Sequence, residues 1–257
     1  MVVVAAEGEG PDQLPHAGLI NAITTVFSSI DVRVDHALWT SQIAKGTAWW
    51  CYDRPQCGGR LPDPTISELA AYNAAEGAIT HTSRAELRAC FEPADPGAVA
   101  RRTDRIAEAL HHQPGEAYAM RIVDDVFADL EESVVVLDED RVVDLAVALT
   151  HTRARDFCLA SERLAIGPKL EEMWTTMIRE TPTPYRAEPA CMLAVTSFVH
   201  GNGVVAGIAL EIAKESNPHH AIADMLRLAM DSGLAPKDLM KAIKNGLNAH
   251  TLLEPSD

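Results

Sequence analysis

Glu188-Pro189-Ala190-Cys191-Met192-Leu193-Ala194-Val195-Thr196-Ser197-Phe198-Val199-His200-Gly201-Asn202-Gly203-Val204-Val205-Ala206-Gly207-Ile208-Ala209-Leu210-Glu211-Ile212-Ala213 is the most apolar stretch of the chain, and its reading decides the fold class. A bilayer needs roughly 20 consecutive apolar residues, and the unbroken run here, 190–199, is about half of that. His200, Asn202 and glycines follow, where a turn would be. Gly201-Asn202-Gly203-Val204-Val205-Ala206 matches G-x-G-x-x-A, whose glycines let a strand–helix turn approach a pyrophosphate. That fingerprint needs a strand before it and an acid at the end of a second strand about 20 residues on. Asp224 stands near that distance, but residues 219–230 have helical periodicity, and Glu188-Pro189 suits a helix start. The remaining reading is two buried helices meeting at a glycine-rich corner.

Working outward, the same helical signal runs from residue 65 to the C-terminus. Thr65-Ile66-Ser67-Glu68 and Ser83-Arg84-Ala85-Glu86 both fit the capping box, in which a hydroxyl caps one backbone N–H and a glutamate reaches back. Gly77 reads as the stop of the first of these helices. Tyr118, Ile122, Val126 and Leu130 line one helix face. Val142, Leu145 and Leu149 line another, within a long helix expected over 139–160. Ile222, Met225, Leu226 and Met230 give a further stripe, which Gly233 and Pro236 separate from Leu239, Met240, Ile243 and Leu247. No fixed period recurs, so a plain bundle is expected rather than a repeat array.

The N-terminal residues alternate between strand and helix signals. Val2-Val3-Val4-Ala5 reads as a buried strand, and residues 16–30 carry the stripe Leu19, Ile20, Ile23, Val26 and Phe27. Residues 31–39 read as a second strand and 47–52 as its hairpin partner. Residues 53–64, with Pro55, Gly58-Gly59, Pro62 and Pro64, read as a loop.

Composition narrows the function classes. The chain has 257 residues, with 22 Lys plus Arg against 37 Asp plus Glu, a net charge of −15. Such a surface repels phosphate backbones, so nucleic-acid binding is not expected. The densest basic stretch, Arg101, Arg102 and Arg105, is interleaved with acids and reads as a solvated helix face. Five scattered cysteines (Cys51, Cys57, Cys90, Cys158, Cys191) in a chain this large suggest reduced thiols and a cytoplasmic setting. No leader pattern opens the chain, and no membrane association is expected.

The stretch at 188–195, the corner His200-Gly201-Asn202-Gly203 and the alanine-rich helix after it resemble the closing segment of the actinobacterial domain-of-unknown-function family 4192. Ser83-Arg84-Ala85-Glu86-Leu87, Arg155-Asp156 and Trp49-Trp50-Cys51-Tyr52, with Pro55 and Cys57 after it, also match family positions. The resemblance covers most of the chain. Two departures stand out. The family shows paired cysteines and prolines where Gly58 and Gly59 follow Cys57, and its opening Leu-Leu-Gly-Phe-like region has no counterpart before Met1. A shortened or divergent member is the expectation. The family implies no established activity.

Site chemistry is sparse. Cys51 and Cys57 are spaced C-x5-C beside His36 with no second pair, whereas structural zinc wants closely paired ligands twice over. His111-His112 and His219-His220 are adjacent, so on a helix they point about 100° apart. His219-His220 is expected at a surface helix start. No H-E-x-x-H, G-x-S-x-G or Walker motif occurs. Neither metal, cofactor nor catalytic residue is therefore assigned.

The reading is an α+β protein. A small N-terminal β-sheet with helices (1–64) is followed by a C-terminal helical bundle (65–257) that packs as one unit. The expected function is non-enzymatic binding or protein interaction. The alternative is an enzyme of unrecognised type with a polar pocket between sheet and bundle. Trp49, Trp50 and Tyr52 form the candidate ligand or partner surface, since aromatics are only 5% of the chain and these three sit within four positions. Arg84, Arg155, Asp156 and Glu188 form the candidate polar pocket or structural network, in which Arg155 and Asp156 would tie their helix to Glu188 or to the Ser83 helix start. An open sheet edge at 2–5 or 49–52 implies a homodimer or a strand-donating partner protein, unless residues 53–64 fold back over it.

Overall fold

Val2–Ala5 forms β1, which pairs in parallel with β2 (Ala37–Thr40), Val2 opposite Ala37. Parallel neighbours need a crossover, and α1 (Ala17–Ser29) supplies it. β3 (Ala48–Cys51) returns antiparallel to β2 with Trp39 opposite Trp50, and β4 (Gly58–Arg60) pairs antiparallel with β3. The strand order is β1-β2-β3-β4. These elements come from a computed structural model, which describes residues 1–252 apart from 9, 11–12, 55, 76–80, 82, 133–136 and 160–163. The chain divides into two compact units, Met1–Thr80 and His81–Asp257.

Three expectations for the first unit are corrected. The second strand spans 37–40 rather than 31–39, because its partner β1 is four residues long and the register begins opposite Ala37. The 53–64 segment is not all loop, since Gly58-Gly59-Arg60 is a strand that pairs along β3. The glycine pair that suggested a loop is what lets this strand lie against the tryptophans. A Cβ at Gly58 would come 2.9 Å from the Trp49 carbonyl oxygen, and one at Gly59 would come 3.0 Å from the Trp49 ring nitrogen. The first capping box is also displaced. Asp63 caps a short 3-10 turn (Pro64–Ile66), and Ser67 then caps α2 (Glu68–Ala75), its hydroxyl accepting from Ala70 N–H at 3.1 Å. Gly77 lies outside the described residues.

In the second unit Ser83 caps α3 (Arg84–Ala89) as its motif predicts, accepting from Glu86 N–H at 3.1 Å. There follow α4 (Pro96–His111), α5 (Glu116–Glu132), α6 (Glu139–Ala148), α7 (Thr152–Cys158) and α8 (Pro168–Glu180). The chain then forms α9 (Ala187–Val199), α10 (Gly203–Ser216), α11 (Ala221–Asp231) and α12 (Pro236–Leu252). Ten of the 13 residues of α9 are buried. A helix apolar on every side must be enclosed, and α9 is packed by α8, α10, α11 and α12. The α9–α10 turn is the helix corner read from the sequence. Gly201 takes φ +81°, which glycine adopts without strain, and the Asn202 side chain accepts from Val205 N–H at 3.3 Å. No helix among the described residues is long and apolar enough to cross a membrane.

The long helix expected over 139–160 is two helices, α6 and α7. The Thr150 hydroxyl donates to the Val147 carbonyl at 2.7 Å, and His151 is extended (φ −85°, ψ 122°), which ends the ladder. The expected last residue, Ala160, lies outside the described residues. The Arg101–Arg105 stretch is not a wholly solvated face either. Arg102 is buried, its Nη1 2.6 Å from Glu180 Oε2 and 3.1 Å from the Glu180 carbonyl oxygen. A cation there is drawn by the carbonyl end of α8 as well as by the carboxylate.

Candidate binding site

The break at Thr150-His151 turns the chain so that α7 presents Thr152, Arg155 and Asp156 along one wall of a groove in the helical unit. Val195 of α9, Ile222 and Leu226 of α11, and Leu239 and Ile243 of α12 supply aliphatic lining. The cavity volume is about 360 Å³, within the range that accepts small organic ligands. Met225 at the rim of the groove is 56% exposed. The amphipathic spacing of α11 thus puts buried Leu226 in the groove lining and exposed Met225 at its rim.

Behind the polar wall three helix ends meet. Glu188, in the first turn of α9, places Oε1 3.6 Å from Arg155 Nη1 and Oε2 3.2 Å from His220 Nε2. Arg155 Nε lies 3.9 Å from Asp156 Oδ1. His220 is only 4% exposed, which corrects the surface position expected for it; its neighbour His219 is exposed. The ring is drawn inward because it caps α11, Nδ1 accepting from Ala223 N–H at 3.2 Å. An accepting Nδ1 carries a lone pair, so the ring proton of the neutral imidazole sits on Nε2, facing Glu188. Nδ1 is thereby committed to a helix N-terminus, while Nε2 faces the Glu188 carboxylate. The Glu188 contact is close but poorly aligned. Arg155 Nε, Glu188 Oε2 and His220 Nε2 are all buried without a completed hydrogen bond to a described group.

Of the four residues expected in a polar network, the fold brings Arg155, Asp156 and Glu188 together and leaves Arg84 elsewhere. Arg84 Nη2 is 2.7 Å from Glu211 Oε1 on α10, its guanidinium lying over Gly207. His220 belongs to the network and was missed. Its signal was a ring nitrogen one residue before an amphipathic helix, where a side-chain acceptor is needed. Cys191, on α9, has its thiol pushed up by burial and, secondarily, by Glu188, so it stays protonated at neutral pH.

In the first unit, Trp50 stacks on buried Trp39 with ring centroids 5.4 Å apart, and Trp39 Nε1 donates to the Ala6 carbonyl at 3.0 Å. The Tyr52 hydroxyl donates to the Pro15 carbonyl at 2.6 Å, and Trp49 lies over Gly59. The three expected aromatics are half-buried, and they do not form one surface: Trp50 stacks on Trp39, which had been read only as a strand residue, whereas Trp49, next to Trp50 in β3, faces the other side of the sheet. Among the described residues no three His, Cys, Asp or Glu side chains converge as a metal site.

Residues 1–237 match the family described as Domain of unknown function (DUF4192). No curated protein and no solved structure matches the chain.

Proposed function

The chain belongs to that family, and from this premise we propose that it is a non-enzymatic binding protein whose site is the α7–α9–α11–α12 groove. The observation that carries this is the division of labour at the groove. Its lining is aliphatic apart from one polar wall, and behind that wall His220 caps a helix end. His220 Nδ1 is held by the N-terminus of α11, and the buried Cys191 thiol is a poor nucleophile. An apolar cleft with a few polar groups is the ordinary form of a small-molecule site. The same features weigh against an enzyme. A reduced, cytoplasmic setting suits its five free cysteines.

N-phenyl-1-naphthylamine, a neutral apolar dye, tests the groove. Saturable binding with one site per chain is expected, lost when Ala229→Phe, at a lining position on α11, fills the cavity. Dye fluorescence unchanged in that variant, with helicity intact, would sink the reading.

A second reading rests on β1. It is an outer strand of the sheet, Val3 is 47% exposed, and no charge or proline guards the run. A homodimer or a strand-donating partner protein would pair there. At β3 the corresponding edge is taken by β4. Light scattering over a dilution series, compared with Val3→Lys, distinguishes a dimer from a monomer.

A further inference from the structure

Arg155 is 80% buried at the groove wall, and its guanidinium carries five N–H donors. Its two carboxylate neighbours stand at 3.6 Å and 3.9 Å, beyond good hydrogen-bond length, and Nε has no hydrogen-bond partner among the described residues. A donor buried in that state favours any ligand that brings it an acceptor.

The charge already present selects the kind of acceptor. Glu188 and Asp156 set two negative charges against the one positive charge of Arg155. A ligand carboxylate would add a third negative charge in a half-buried place, where like charges repel strongly. An ammonium can pair with Asp156 on the same wall, but it offers no acceptor to the buried Arg155 Nε. A carbonyl oxygen brings lone pairs and no net charge. The rest of the groove asks for an aliphatic body.

We infer that the groove takes a neutral acyl compound, an aliphatic chain ending in an amide or ester carbonyl that accepts a hydrogen bond from Arg155; this rests on the groove being a binding site.

Decanamide, decanoate and decylamine share a chain and differ only in the head, so calorimetric titration of the full chain with each separates the possibilities. Decanamide is expected to bind one site at least tenfold more tightly than the other two. It should also move the Arg155 Nε–H proton resonance downfield, which decylamine should not. Arg155→Met should weaken decanamide about tenfold, the worth of one hydrogen bond to a charged donor, and leave decylamine unchanged. If that variant does not fold, the resonance in the unaltered protein decides. Decanoate or decylamine binding as tightly as decanamide, or bound decanamide leaving the Arg155 resonance unmoved, would overturn the carbonyl assignment while the groove reading stands. Failure of all three to bind, or binding untouched by Ala229→Phe, would remove both.

Discussion

The two units of this chain solve the same problem with different materials. In Met1–Thr80 few side chains are fully buried, and the largest is Trp39, stacked on Trp50, with Tyr52 and the glycine seats around them. In His81–Asp257 burial is spread over many aliphatic residues, with α9 enclosed along most of its length. A short four-stranded sheet has little area to cover, so a few large rings must supply most of its apolar burial. Ten helices described in the second unit can share the load among leucines, valines and alanines, each worth less. The lesson is where each unit is fragile. The first depends on single aromatic residues, whereas the second depends on how its helix ends are tied.

The hardest test of that contrast is Trp39→Ala. Removing a buried indole costs about 3–5 kcal/mol, enough to unfold a small sheet unit. Amide exchange should then show strands β1–β4 losing protection while α9 keeps its own. Parallel loss of protection in α9 would mean that the two units share one cooperative transition, and the comparison would fail.

Glu188→Ala probes the second unit at its tie. It leaves Arg155 and the His220 Nε2 proton without their carboxylate. Loss of one partner of a fully buried pair costs about 3–5 kcal/mol; with both side chains about one-fifth exposed, about 2 kcal/mol is expected. Thermal melting read by circular dichroism should fall by several degrees. An unchanged midpoint would show that the helix ends are held by packing alone.

Gly58→Ala returns to the sheet. Elsewhere in a strand alanine would be tolerated, but here the new methyl meets the Trp49 backbone carbonyl at 2.9 Å. A shift of β4 costing about 1–2 kcal/mol follows, visible as a changed tryptophan fluorescence maximum. An unaltered spectrum and midpoint would mean that β4 does not depend on its glycine seats.

The smallest effect belongs to Tyr118 on α5, whose hydroxyl donates to Asp144 Oδ1 at 2.7 Å. Burial first, then the hydrogen bond and the negative charge of Asp144, push its pKa up to about 12. A raised folded value means that the protonated form is favoured by folding. Its contribution is complete below pH 10, the ordinary tyrosine value, and is lost as pH rises through about 12. Phenolate absorbance should show a tyrosine step at about pH 12, distinct from that of Tyr52, which burial also raises, and Tyr118→Phe should remove it. A single step near the ordinary value in the unaltered protein would contradict the Asp144 contact.

Periodicity and local capping rules determined much of this protein from the sequence alone. The α+β class, β1, α1, the β2–β3 hairpin, the Ser83 cap and the Gly201 corner between two buried helices all follow from patterns a few residues long. Those patterns work because each is a local bargain between backbone hydrogen bonds and side-chain burial. Tertiary structure decided the rest, for reasons that act at a distance. β4 exists because tryptophans across the ladder need glycine beneath them, and glycine by itself reads as a loop. The 139–160 stretch divides where a hydroxyl competes for one carbonyl. Arg102 is buried because the end of α8 arrives 78 positions later in the chain. The expected network kept Arg155, Asp156 and Glu188, lost Arg84 to Glu211, and gained His220. Charge and spacing can nominate such groups, but only packing brings particular helix ends within a few ångströms of one another.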